Sequence, residues 1–246
     1  MSPGIDLNAD LGEGMGDDDA LLRLVTSANV ACGAHAGDDA TMRHVCEVAA
    51  ELGVRVGAHV SYQDTENFGR LFVDVDERSL RAQLADQLAR LSEIAAAAGT
   101  RVTYVKPHGA LYHAATRHEA HARAVVEVAR ETGLAVVGAP GALDLSLAAA
   151  YGLVGVTEGF ADRAYATDGS LVPRGTPGAV LHDGVTIAAR IAHLAATGTI
   201  EAIDGTSLRL DVRTLCVHGD TPEAVRIATM VSAELERAGL TPVPFT

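Results

Sequence analysis

Short apolar runs that end in polar tips and lead into helical segments recur along this chain. That alternation constrains the fold more than any other feature. The runs cover 5–11, 27–31, 54–60, 102–105, 134–138, 153–157 and 212–217. Helical spacing or end signals mark 17–24, 40–52, 77–98, 118–132, 142–151, 185–196 and 221–238. Leu80, Leu84, Leu88, Leu91 and Ile94 show the period most clearly. Gly53, Gly99 and Gly133 stand where helices close, and Asp38 or Asp39 can cap the second helix. Asp220 or Thr221 can cap the last helix, with Pro222 at its first position. Segments 199–204 and 207–210 read as short edge strands or loop. The run 134–138 is apolar on both faces, which predicts a parallel sheet covered by helices.

Four of the tips carry histidine: Cys32-Gly33-Ala34-His35, Gly57-Ala58-His59, Lys106-Pro107-His108-Gly109 and Val217-His218-Gly219-Asp220. An open doubly wound sheet would spread these tips along a line. A barrel gathers the C-terminal ends of its strands around one mouth. The predicted fold is therefore α/β, a seven-stranded (β/α) barrel-like domain spanning residues 1–246.

Composition narrows the partners. The formal net charge of −13 disfavours nucleic acid and anionic membranes. Three cysteines in 246 residues do not make a disulfide framework, and a reducing compartment fits them better. The opening MSPGIDLNADLG lacks a basic segment followed by an apolar run, so no signal peptide is expected. No stretch approaches the length of a transmembrane helix. A soluble, cytoplasmic chain is the expectation, with self-association left open.

The chemistry-bearing residues cluster at the tips. Lys106 and His108 lie two apart, so they share a strand face. A lysine there supplies a fixed cation for a small anionic substrate, and the imidazole can exchange protons near neutrality. His35 sits among small residues, with Asp38 at a helix start where it serves either chemistry or only a cap. His59 resembles His35 in its setting, and His218 pairs with Asp220. Asp6, Asn8 and Asp10 alternate onto one face of the first strand, with Glu13 just beyond. In a barrel that face is the interior, where charges must be paired, hydrated or metal-bound. A divalent metal held by Asp10, His35 and His59 is one outcome, although no diagnostic ligand spacing is present. Two irregular segments, 61–76 and 159–180, carry Arg70, Arg163 and Arg174, which either clamp an anion or scaffold their loops. No glycine cluster matches a phosphate-binding loop or dinucleotide fingerprint.

Six ordered blocks then carry a resemblance: IDLNADLGEGMG, SANVACGAHAGDDATM, VGAHVSYQDTENFGR, YVKPHGALYH, EGFADRAYATDGSLVPRG and TLCVHGD. Together they resemble the LamB/YcsF family. The sequence departs from that family's pattern at Ser61-Tyr62-Gln63-Asp64 and at Leu71. The resemblance implies a barrel similar to the glycoside hydrolase/deacetylase superfamily. It also implies ATP-dependent opening of 5-oxo-L-proline to L-glutamate, with ATP used through two partner subunits, B and C. On that basis Asp10 or His59 activates water and His108 acts as general acid-base. Lys106 or an arginine holds the substrate carboxylate or a phosphate. His35, Asp38, His218 and Asp220 complete the rim or bind metal. Asn8, Glu13, Arg70, Tyr112, Arg163 and Arg174 contact substrate. The competing readings are a metal-dependent amide or carbohydrate deacetylase and a non-catalytic assembly subunit.

Overall fold

The structure, a computed structural model, describes residues 4–219 and 223–245. Six parallel strands follow one another around a barrel: β1 (Gly4–Leu11), β2 (Ser27–Ala31), β3 (Arg55–Val60), β4 (Val102–Pro107), β5 (Ala135–Gly138) and β6 (Gly155–Phe160). Strands β7 (Thr199–Glu201) and β8 (Ser207–Arg209) form a separate antiparallel pair. Strand β9 (Thr214–His218) then inserts between β6 and β1 and closes the ring as its seventh member. A short β10 (Thr241–Pro242) pairs with the start of β1. The expected strand count and closure are both present.

Helices α1 (Asp18–Leu22), α2 (Asp39–Leu52), α3 (Glu77–Ala97), α4 (Gly109–Ala115), α5 (Glu119–Thr132), α6 (Leu143–Ala150), α7 (Gly184–Thr197) and α8 (Ala224–Arg237) connect the strands. Asp38 Oδ1 accepts from Thr41 N at 2.8 Å and starts α2, while Gly53 ends it in a left-handed conformation. Leu80, Leu84, Leu88 and Leu91 are the buried stripe of α3. No helix is long and apolar enough to cross a membrane, among the described residues. The expected caps of the last helix, Asp220 and Thr221, and its Pro222, lie outside the described residues.

The strands sort their side chains by period. Leu7, Ala9, Leu11, Val30, Val56, Ala58, Val105, Val136, Leu215 and Val217 belong to the main apolar core that meets the helices. Their neighbours at the alternate positions fill the lumen, and most are polar. Thr214 Oγ1 donates to Asp6 Oδ2, and Ser27 Oγ donates to Asp6 Oδ1 at 2.6 Å. Asn29 Nδ2 donates to Asn8 Oδ1 at 2.6 Å and to Asp10 Oδ1 at 2.7 Å. Tyr104 Oη donates to Asn29 Oδ1 at 2.7 Å. Its ring fits because residue 57 is glycine: a Cβ there would run into the Tyr104 ring. Only β5 matches the expectation of apolar residues on both faces, with all four of its residues buried.

Two strand limits bear on function. Strand β6 runs to Phe160 rather than stopping at residue 157, so Glu158 lies within the lumen set. Strand β4 runs through Pro107 and delivers His108 as the residue before α4.

Candidate active site at the barrel mouth

A cavity of about 330 Å³ opens at the C-terminal ends of the strands, a size suited to a small ligand. Asp10, His59, Lys106 and His108 line one part of it. Arg70, Tyr112, His113, Arg117, Arg163, Arg174 and His218 line the rest.

Lys106 is the cation at the floor. Its Nζ lies 2.8 Å from Asp10 Oδ1 and 2.9 Å from Glu158 Oε1. Asn8 Oδ1 at 3.4 Å and Cys216 Sγ at 3.3 Å complete its contacts. Burial disfavours its charge, but Asp10, Cys216 and Glu158 hold the ammonium well above the ordinary lysine range. Burial likewise works against the Asp10 carboxylate, and the charges of His59 and Lys106 hold it well below the usual range. The pair is thus an ionised couple in a water-poor place. Removing one partner of such a pair costs roughly 3–5 kcal/mol, because the other charge is left buried.

Three histidines gather beside this couple. His59 Nε2 lies 3.3 Å from Asp10 Oδ2, and His108 Nδ1 lies 3.0 Å from His59 Nε2. The His35 and His108 rings stack at 3.7 Å with an interplanar angle of 4°. Glu13, carried back over the mouth after β1, puts Oε1 3.1 Å from His35 Nε2 and 3.4 Å from His108 Nδ1. Burial lowers the His35 pKa to about 4. Burial, then the neighbouring His59 and His35, holds His108 well below the ordinary histidine value.

The loop 61–76 roofs the cluster. Gly69 has φ +62°, and a Cβ on it would collide with Ser61 Oγ and lie 3.0 Å from His35 Cβ. Gly69 O accepts from Ala110 N at 2.9 Å, which ties the loop to the start of α4. Phe68 holds the left-handed region at φ 56° without being glycine, a strained conformation of the kind found at functional sites. Its carbonyl accepts from His108 Nε2 at 2.9 Å, and its ring meets the edges of His35 and His108. Arg70 lies over the same ring, 4.9 Å from its centre.

The opposite part of the mouth is built differently. His218 Nδ1 donates to Asp162, 2.8 Å from Oδ1, and the ring stacks on Phe160 at 5.2 Å. That bond fixes the tautomer and leaves Nε2 as an acceptor. Arg163 is buried, with its guanidinium donating to Val172 O at 2.7 Å and Ala179 O at 3.3 Å. Buried Tyr112 Oη and Glu158 Oε2 have no partner among the described residues.

Most residues expected at the site therefore meet there. Asp38 does not: it is exposed and caps α2, so its carboxylate is spent on a helix end. Asn8 lies in the lumen below the cavity, where it supports Lys106 and Glu158 rather than facing a ligand. Asp220 is outside the described residues. The expected metal set divides: His35 and His59 converge with Glu13 and His108, whereas Asp10 converges with Cys216 and His218. Asn29, Tyr104 and the role of Asp162 carried no local signal. Glu158, just past the sixth apolar run, joins the lumen set once β6 is extended to Phe160.

Comparisons with known proteins agree with this fold. The LamB/YcsF family model matches residues 5–246. A Streptomyces coelicolor protein named as the A subunit of 5-oxoprolinase is 54% identical over 243 residues, covering 96% of this chain and 97% of its own. The crystal structure of a lactam utilization protein from Thermus thermophilus superposes with a TM-score of 0.92 at 36% identity, covering 98% of this chain and 100% of its own. A polysaccharide deacetylase from Bacillus cereus shares the fold alone, with a TM-score of 0.51 at 13% identity over 100% of this chain and 93% of its own.

Proposed function

The chain belongs to the LamB/YcsF family, and from that premise we propose that it is a hydrolase that opens the ring amide of 5-oxo-L-proline to L-glutamate. It works as one subunit of an ATP-dependent 5-oxoprolinase, with subunits B and C. The observation that carries this reading is the small cavity itself. An ionised Asp10–Lys106 couple forms its floor, and Arg70, Arg117, Arg163 and Arg174 line it in a chain of net charge −13. Such a lining suits a small anion with a bond to be hydrolysed beside the couple.

A lactam is a poor electrophile. Phosphorylation of its oxygen by ATP makes the ring carbon easier to attack. The sequence carries no phosphate-binding loop, so ATP is assigned to the partner subunits. In this chain the arginines hold the substrate carboxylate and any phosphate. Asp10 orients the attacking water, and Lys106 stabilises charge that develops on the ring oxygen. The new C–O bond forms, the C–N bond breaks, and the departing nitrogen takes a proton; the acyl phosphate left on the opened chain is then hydrolysed to glutamate and inorganic phosphate. His218, oriented by Asp162 through Nδ1, takes a proton from the attacking water on Nε2 and passes it to the departing nitrogen. His108 has Nε2 bonded to Phe68 O and Nδ1 turned toward His59 and Glu13, so its expected acid-base role passes to His218. The chain is assigned to the cytoplasm, in keeping with Cys32, Cys46 and Cys216, which are buried and free.

The test is to purify the chain with and without subunits B and C and to assay glutamate from 5-oxoproline with and without ATP. Ring opening should need all components. Acetate release from an N-acetylated sugar by the isolated chain, with no ring opening in the complex, would favour the deacetylase reading instead.

A further inference from the structure

The outer nitrogens of two histidines at the mouth are held by backbone carbonyls. His59 Nδ1 lies 3.2 Å from Lys106 O, and His108 Nε2 lies 2.9 Å from Phe68 O. A carbonyl oxygen only accepts, so each of those nitrogens carries a ring proton. The inner nitrogens, His59 Nε2 and His108 Nδ1, face each other at 3.0 Å. Two bare lone pairs would repel at that distance, and two N–H groups would collide. One proton beyond the neutral complement therefore belongs between the rings, and the pair carries one positive charge.

The surroundings decide which ring holds it. His59 Nε2 also faces Asp10 Oδ2 at 3.3 Å. A proton there serves two acceptors, Asp10 Oδ2 and His108 Nδ1. A proton on His108 Nδ1 would instead leave a bare His59 Nε2 against the Asp10 carboxylate. Glu13 Oε1, 3.4 Å from His108 Nδ1 and 3.8 Å from His59 Nε2, has a donor of its own in His35 Nε2 at 3.1 Å. Charge points the same way. Asp10, Glu13 and Glu158 are three buried carboxyl groups, and the one buried ammonium near them, Lys106, is committed to Asp10 Oδ1 and Glu158 Oε1. A metal ion shared by the cluster does not fit in the proton's place. The His35 and His108 rings stack face to face at 3.7 Å and 4°, so no point lies in the plane of both.

We propose that His59 is a positioning residue: as an imidazolium it clamps Asp10 Oδ2, while Lys106 clamps Oδ1. Two cations then fix the carboxylate from both of its oxygens. With His59 on one lone pair of Oδ2, the other is left for the attacking water. A ring with both nitrogens protonated has no lone pair to act as a base, so the water-activating role expected of Asp10 or His59 falls to Asp10. The use of the clamp in ring opening rests on the lactam reading, and the clamp itself does not.

Nitrogen-15 NMR of the histidine-labelled full chain at neutral pH reads the protons without a variant and without activity. His59 should show two protonated ring nitrogens, and His108 a protonated Nε2 with a bare Nδ1. A chelator should leave both patterns unchanged. A neutral His59, the extra proton on His108 Nδ1, or a pattern that shifts with the chelator overturns the proposal. The role is read in the complex with subunits B and C. His59→Gln should lower kcat on the order of tenfold or more with KM nearly constant, because it acts on Asp10 and not on substrate binding. Circular dichroism checks that the variant folds, and a folded variant with wild-type kcat overturns the positioning role. A wild-type complex that opens no 5-oxoproline counts against the lactam reading, and the nitrogen spectra then decide the clamp by themselves.

Discussion

The two walls of the cavity are made by different means. The wall of Asp10, His59, Lys106 and His108, backed by His35, comes from strand ends, and all five residues are buried. Parallel registry sets their spacing, with Asp10 beside His218 on β9 and His59 beside Lys106 on β4. The other wall comes largely from the segment after β6 and from α4. Its Arg163 is held by carbonyls of its own loop, and Arg174 is only half-buried. Sheet pairing can fix reacting groups to within fractions of an ångström, as catalysis requires. A loop delivers charge over a longer reach. On the proposed function, the first wall serves the chemistry and the second holds the anion.

The largest effect should come from Asp10→Asn. It removes the carboxylate that pairs with Lys106, and turnover in the assembled enzyme should fall about 10³-fold. Turnover within tenfold of wild type would break the assignment of chemistry to the first wall. Next comes His218→Asn, expected to lower kcat about 10²-fold with KM little changed, as for a lost proton carrier. Its Asp162 partner places this residue on the border between the walls. A change confined to KM would move His218 to the binding side. The smallest effect belongs to Arg174→Ala, with KM raised about tenfold and kcat nearly constant. The same variant has a second readout at His113. Burial, then Arg163, Arg117 and Arg174, holds that imidazole below the ordinary histidine value. Each of these disfavours the protonated ring. Deleting Arg174 should move the titration of His113 to higher pH, followed by proton NMR. An unmoved titration would mean that Arg174 does not act on this wall.

The alternation of strands and helices was legible because each lumen strand still presents one apolar face to the helices. The histidine ring was legible for a related reason: strand tips converge once the sheet closes, so His35, His59, His108 and His218 had to meet. Asp38 shows the limit. A carboxylate before a helix reads the same whether it caps or catalyses, and only its exposure separates the two. Asp162 shows another. It follows β6 by two residues and meets His218 across 56 positions of sequence, a contact that no local pattern encodes. The lumen was half legible. Asp6, Asn8 and Asp10 announced an inward polar face, but their partners Ser27, Asn29 and Thr214 lie on other strands and depend on the barrel's registry.

The pairing of β10 with β1 has a practical consequence. Gly4 sits beside Thr241 and Ile5 beside Pro242, with Val243 N donating to Ile5 O at 3.0 Å. This contact lies at the barrel end away from the cavity. The chain can therefore be rejoined there through a short linker and reopened at Gly205, in the exposed turn between β7 and β8. A circular permutant cut at that point keeps every barrel pairing.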